Sequence, residues 1–306
     1  MSWPPATKQN DWPRSGWKNK YLSLPIANTL QFLRSRLEDS SDTPGLDAQV
    51  LLAHVMEVPR AWLLAHPEAK LTPLQQARLQ TGLAQLESGQ PLPYVLGHWE
   101  FYGLDFAVSP AVLIPRPETE LLVDQALGWL LSHPNRKRVV DVGTGSGCIA
   151  ISLAVHRPGL RVLAGDISLP ALQVARQNAR AHRVEKRVDF LQTDLLPPVS
   201  QAFDLLCANL PYIPSETLKH LKVYRTEPTV ALQGGAQGLD LIAGLLQSSP
   251  GCMAPGGLLL LEIEATQGEA VRDLAFRVFP QAQVEVLPDL AGRDRLARIQ
   301  LPGSNL

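Results

Sequence analysis

The chain has 306 residues, 45% of them hydrophobic and 19% charged, with a formal net charge of -1. That is apolar material for one large or two medium domains with buried cores, and the charge balance excludes a global basic field for nonspecific binding to nucleic acid or anionic membrane. Cys148, Cys207 and Cys252 are odd in number and far apart, with no C-x-x-C pair and no clustered histidine, so they point to neither a disulfide framework nor a zinc site, and a reducing cytoplasm fits.

Residues 1–20 mix Trp3, Pro4, Pro5, Trp12, Pro13 and Trp17 with Lys8, Arg14, Lys18 and Lys20, without the apolar core of a signal peptide or membrane span. They read as a loosely ordered tail. From Ile26 the apolar residues Ile26, Leu30, Leu33 and Leu37 recur at helical spacing, and Leu46 to Met56 forms a second apolar helix before Pro59. Thr72 and Pro73 supply a cap and a proline at the first helical position, with Leu79, Leu83 and Leu86 on one face beyond them. Residues 21–90 are therefore expected to form a small helical domain. After Gln90-Pro91-Leu92-Pro93, the residues Trp99, Phe101, Leu104, Phe106 and Val108 alternate around Tyr102-Gly103 as a β-hairpin does, so 91–110 reads as a hairpin linker.

The remaining stretch, 111–306, opens with a helix at Pro117, with Glu118 and Glu120 in its first turn and Leu121, Leu122, Ala126, Leu127, Leu130 and Leu131 as its expected buried side. Short apolar strands then alternate with amphipathic helices. The strands fall near 139–142, 162–165, 188–191, 203–208 and 258–263, and two late strands near 284–287 and 296–301 would close the sheet. Such alternation predicts an α/β fold with a mostly parallel sheet, whose ligands bind at the carboxyl ends of the strands.

Those ends carry the chemistry. Gly143-Thr144-Gly145-Ser146-Gly147 follows the first strand and leads into a helix, an arrangement that lets backbone approach a ligand; dinucleotide sites and ordinary tight connections use it too. The next three strands end in Asp166, Asp194 and Asn209. One carboxylate suits ribose hydroxyls and a second accepts from an adenine amino group, so a nucleoside laid across the sheet edge accounts for the set. Asn209-Leu210-Pro211-Tyr212 ends the apolar run of 203–208: an amide, a carbonyl whose direction is fixed by the following proline, and an aromatic wall could grip a planar amide or amino group. An Asx-type turn with a packing tyrosine is the plainer alternative. Ser168 reads as a helix cap.

These residues resemble the class I S-adenosylmethionine-dependent methyltransferases, and more closely the HemK/PrmC family, which methylates the glutamine side chain of peptide chain release factors. The resemblance runs from about Leu46 onward. It rests on Pro93-Tyr94 with Leu96-Gly97, Glu100 to Gly103, Leu113-Ile114-Pro115-Arg116-Pro117-Glu118-Thr119-Glu120, the Gly143 to Gly147 loop, Asp166-Ile167-Ser168, Glu227-Pro228 with Ala231-Leu232, Gly238-Leu239-Asp240, Glu262-Ile263 and Asp294-Arg295. It implies a Rossmann-like methyltransferase domain, a release-factor-docking helical domain over 21–90, and S-adenosyl-L-methionine held by Gly143, Thr144, Gly145, Ser146, Gly147, Asp166, Asp194, Leu195 and Asn209. Asn209, Leu210, Pro211 and Tyr212 would hold the glutamine of the GGQ motif. No metal or membrane is implied, and nucleic acid is expected as a partner only indirectly, through the ribosome.

The chain departs from the family's Asn-Pro-Pro-Tyr at Leu210. Asn-Leu-Pro-Tyr resembles the ribosomal RNA adenine dimethyltransferases, so N6-adenine methylation of RNA or DNA is the alternative activity; against it stand the neutral charge and the run from Ile114 to Glu120. A cofactor-binding docking protein without catalysis is a further alternative, as is a nicotinamide dehydrogenase, which would leave Asp194 and Asn209 without a role. The family glycine after Glu262-Ile263 is Glu264 here, and the sequence gives that change no meaning.

Overall fold

The computed structural model describes residues 24–197 and 201–303, so the tail expected over 1–20 lies outside the described residues. The chain divides after Leu96 into two compact units. The first holds helices α1 (Ile26–Leu37), α2 (Pro44–Met56), α3 (Arg60–Ala65), α4 (Pro73–Glu87) and α5 (Leu92–Leu96). Thr72 and Gln75 form a reciprocal capping box at the start of α4, which satisfies two of the amides that a helix N-terminus leaves open. Ile26, Leu33, Leu37, Leu51, Leu52, Leu63, Leu79 and Leu83 are buried together as the core of this unit. Helices α3 and α5 are absent from the sequence reading because one or two turns carry too few residues for a period to show.

In the second unit, strands β1 (His98–Phe101) and β2 (Leu104–Ala107) pair antiparallel, with Phe101 opposite Leu104. The turn residues Tyr102 and Gly103 both have positive φ, the type I′ geometry that matches strand twist. Phe101 and Phe106 are buried in the same core as Val139, Ile149 and Leu205. The stretch 91–110 is thus shared: α5 belongs to the first unit and the hairpin is packed into the second.

Residues Pro117–Thr119 form one 3-10 turn, from which α6 (Glu120–Ser132) continues. Its buried stripe is Leu122, Val123, Ala126, Trp129 and Leu130, whereas Leu131 is 66% exposed. The face expected from the leucines is therefore corrected. Trp129 pins the rotation by donating from Nε1 to Gln300 Oε1 at 2.9 Å, and Leu131, two residues on, lies about 200° round the helix from it.

The sheet is built from β3 (Arg138–Val142), β4 (Arg161–Asp166), β5 (Val188–Gln192), β6 (Phe203–Ala208), β7 (Met253–Glu262), β8 (Gln283–Pro288) and β9 (Asp294–Gln300). Between them lie α7 (Cys148–His156), α8 (Leu169–Ala181), α9 (Ser215–Leu218), α10 (Asp240–Ser248) and α11 (Gly268–Val278). The order across the sheet is β5-β4-β3-β6-β7-β9-β8, parallel from β5 to β7 and antiparallel beyond. This is the predicted mostly parallel α/β architecture. Strand β6 is buried along its whole length, which explains its unbroken apolar run. The chain runs outward from β3 through β4 to β5 and returns to the other side of β3 at β6, so a topological switch point opens at the carboxyl ends of β3 and β6. At the opposite edge, Asp204 accepts from Arg136 Nη1 at 2.8 Å, Lys137 N at 2.8 Å and Arg138 N at 3.0 Å, which ties β3 to β6 where no ligand is needed.

Candidate active site

At that switch point lies a cavity of about 480 Å³, within the size range of small-molecule sites. Its floor is the loop after β3. Asp141, wholly buried at the end of β3, accepts through Oδ2 from Thr144 Oγ1 at 2.6 Å and Ala150 N at 3.2 Å. Burial pushes the Asp141 carboxyl up to about 7 against these two hydrogen bonds, and its Oδ1 has no partner among the described residues. Thr144 thus spends its hydroxyl on the loop and leaves its backbone for a ligand. Asn178, buried in α8, donates from Nδ2 to Ser146 O at 2.9 Å and to Ala107 O at 3.0 Å, so it joins the loop to the hairpin. As a lone polar residue inside an amphipathic helix, it gave no signal in the sequence.

Asp166 ends β4 and also shapes the floor. Its Oδ2 accepts from Gly145 N and its Oδ1 from Ser168 N, each at 2.8 Å, while the Ser168 hydroxyl caps α8 by accepting from Ala171 N at 3.2 Å. Gly143, Thr144, Gly145 and Ser146 all face the cavity together with Asp166, and Asp194 and Leu195 close it beyond β5. Leu195 is held in the left-handed region at φ 54, which costs an L residue about 1–2 kcal/mol. Gly147 lies off the cavity wall. A Cβ there would come within 2.7 Å of Ile151 Cδ1 and 3.2 Å of Ala175 Cβ, so Gly147 is a packing glycine between α7 and α8.

Asn209, Leu210 and Pro211 form a rim beside the glycine loop, at the carboxyl end of β6. Leu210 is buried, and its Cδ2 lies 3.0 Å from where a Gly143 Cβ would stand, so only glycine there lets the loop and the rim close on each other. Asn209 Nδ2 donates to Thr119 Oγ1 at 3.0 Å, and among the described residues its Oδ1 accepts no hydrogen bond. Tyr212 turns away from the cavity wall. Its carbonyl accepts from Gln267 Nε2 at 3.1 Å, and burial, with Glu262 as the largest charge acting on it, pushes its hydroxyl up to about 12. The sequence motif therefore splits, with Asn209, Leu210 and Pro211 on the cavity and Tyr212 behind it.

Three further residues support this rim. Glu227, buried, accepts from Ile114 N at 3.1 Å and pairs with Arg116, which straps the run 114–119 over the site. Thr119 and Glu262, each 2% exposed, neighbour Asn209, Thr119 also lining the cavity and Glu262 lying behind it. The sequence displays all of them inside family-like motifs, but their roles depend on contacts between segments 53 to 143 residues apart, which no local pattern encodes.

The donor set fits a nucleoside sulfonium such as S-adenosylmethionine. Three aspartates line the cavity, Asp166 and Asp194 beside the loop of backbone amides and Asp240 bonded to Ala236 N, and the half-exposed Ile167 gives an apolar wall for a flat ring. Among the described residues there is no cluster able to hold a metal ion and no helix long and apolar enough to cross a membrane.

Comparison with known proteins agrees with this geometry. Residues 28–97 match the PrmC N-terminal domain and residues 119–225 the methyltransferase small domain. The release factor glutamine methyltransferase of Moorella thermoacetica is 46% identical over 256 residues, 83% of this chain and 90% of that protein. That of Neisseria gonorrhoeae is 42% identical over 264 residues, 84% of this chain and 93% of that protein. Among solved structures, the hMettl16 catalytic domain in complex with a 3′UTR hairpin superposes with a TM-score of 0.53 at 14% identity, covering 76% of this chain and 83% of that one, a likeness of fold alone. The chain belongs to the release factor glutamine methyltransferase family of S-adenosylmethionine-dependent enzymes.

Proposed function

We propose that this protein transfers a methyl group from S-adenosyl-L-methionine to the side-chain amide nitrogen of the GGQ glutamine in peptide chain release factors, acting in the cytoplasm where translation terminates. The observation that carries the reading is Asn209: its Nδ2 is committed to Thr119 while its Oδ1 accepts no hydrogen bond among the described residues, on a cavity that the glycine loop and Asp166 also line. Gly143, Thr144, Gly145 and Ser146 would hold the cofactor through backbone, Asp166 and Asp194 through carboxylates, and Leu195 by packing. When bound, the cofactor supplies an electrophilic methyl group on a sulfonium.

The rest is the work of the rim. A neutral amide nitrogen is a weak nucleophile because its lone pair is delocalised, so the productive contribution is position. Asn209 Oδ1 and the Leu210 carbonyl accept the two amide hydrogens and aim the nitrogen into the cavity, and Pro211 fixes the direction of that carbonyl; one of the two protons is released to water as the methylated amide forms, which leaves a neutral thioether in place of the sulfonium. Tyr212 backs the rim from behind. The helical unit docks the release factor, in keeping with its match to the PrmC N-terminal domain.

The test offers labelled S-adenosylmethionine together with release factor or ribosomal RNA to the full chain. Label on the GGQ glutamine supports the reading. Label on RNA adenine instead would mean that Leu210 reports substrate class, and the proposal fails.

A further inference from the structure

The family motif names Asn209 but leaves open what decides which end of its amide faces the cavity. The two ends are nearly the same size and opposite in hydrogen-bonding sense, so an unrestrained asparagine presents a donor as readily as an acceptor. Only the acceptor suits an incoming amide N–H. Asn209 Nδ2 lies 3.0 Å from Thr119 Oγ1, and Thr119 is buried at the end of the 3-10 turn that precedes α6. Having accepted the Asn209 hydrogen, the Thr119 hydroxyl still has its own proton to give. Beside it stands the Glu262 carboxyl at the end of β7, buried, with Oε2 unpartnered among the described residues, and with Thr119 and Asn209 as its hydrogen-bonding neighbours.

We propose that Thr119 and Glu262 are positioning residues that set the sense of the Asn209 amide, so that Oδ1 rather than Nδ2 meets the substrate; this rests on the function proposed above. An ionised Glu262 can only accept. Thr119 must then donate toward it and accept from Asn209, which fixes Nδ2 inward and Oδ1 outward. A protonated Glu262 can donate, which lets the chain of hydrogen bonds reverse and presents Nδ2 to the substrate. Burial pushes Glu262 up to about 7, so the reversal falls within the working range. The groups bearing on it are Arg295 from β9, which holds it down, and Glu118 from the 3-10 turn, which raises it; Tyr212 after β6 and Cys148 on α7 also feel its charge.

The experiment follows the Asn209 side-chain NH2 resonances of the full chain by nitrogen-15 NMR across pH, assigned by their loss in Asn209→Ala, and alongside it single-turnover methylation of release factor at saturating cofactor. In the natural protein the resonances are expected to move with a midpoint near 7, and the rate to rise through the same midpoint. Thr119→Val and Glu262→Gln should abolish the pH-dependent movement and lower the rate about tenfold or more, the scale of a misplaced catalytic group, without weakening cofactor binding measured by calorimetry. Thr119→Ser, which restores the hydroxyl, should recover both. The inference is overturned if Thr119→Val keeps the natural rate and titration, or if the natural Asn209 signal does not respond to pH, a readout that stands even when a variant misfolds. Failure of the parent reading is separate: the natural protein would leave release factor unmethylated while its Asn209 amide still titrated.

Discussion

The two sides of the cavity are built on opposite plans. On the cofactor side two carboxylates are spent on the loop itself: Asp141 Oδ2 accepts from Thr144 and Ala150, and Asp166 accepts from Gly145 and Ser168, while Asp141 Oδ1 is left without a partner among the described residues. On the substrate side the donors are committed and the acceptors are not, since Asn209 gives Nδ2 to Thr119 and keeps Oδ1 open. The difference matches the tasks. A loop that must cradle a ligand through its backbone needs its side chains spent on holding that backbone still, whereas a rim that must bind and release amide hydrogens needs unpaired oxygens held in a fixed direction.

Breaking the substrate side should cost most. Asn209→Ala removes the open acceptor and is expected to lower single-turnover methylation about a hundredfold or more, while calorimetry shows the cofactor still bound. A large loss of cofactor affinity instead would place Asn209 on the other side of the comparison. Asp166→Ala attacks the cofactor side, where it frees two backbone amides as well as deleting a carboxylate; calorimetric titration should show binding weakened by about 1 to 3 kcal/mol. Unchanged affinity would mean that the nucleoside lies elsewhere.

The third prediction concerns the foundation shared by both sides. Burial raises Asp141 and Glu262 to about 7, well above ordinary carboxyl groups. The folded protein therefore holds more protons than the unfolded chain between about pH 4 and pH 7, and the stability these groups contribute is present at the acid end and is lost as pH rises through that window. Thermal unfolding from pH 5 to pH 8 should show the midpoint falling with pH, with a shallower fall in Asp141→Asn. An equally steep fall in that variant would show that Asp141 is not the group titrating.

The smallest expected effect is Leu210→Pro, which restores the family motif. Position 210 contributes a carbonyl that any residue possesses, and its leucine side chain is buried against the glycine loop, so the change should alter kcat by less than about tenfold. A larger drop would show that the Leu210 contact with Gly143 couples the two sides.

The sequence made legible whatever is local. The fully buried β6 reads as a strand because all of its residues are apolar or lie in an apolar run, and the polar residues that end β4 and follow β6 mark the sheet edge without any knowledge of the fold. It could not show what depends on rotation or distance. The exposed Leu131 and the buried Trp129 of α6 differ by the docking of one indole on Gln300, at the far end of the chain. Gly147 looks like its neighbours in the loop, yet its reason is the press of Ile151 and Ala175. Glu264, uninterpretable as a departure from a family glycine, accepts from Thr266 N at 2.8 Å and so closes the turn before α11 with its own side chain.

The order of the sheet also bears on how the chain is made. Strand β9 lies between β7 and β8 although it follows both in sequence, and it pairs antiparallel with each of them. While the ribosome is still adding residues before Asp294, β7 has no neighbour on that side, and β8 has no place in the sheet. A growing chain therefore carries an apolar strand with an open row of N–H and C=O groups until its last strand emerges, the interval in which such an edge recruits a wrong partner.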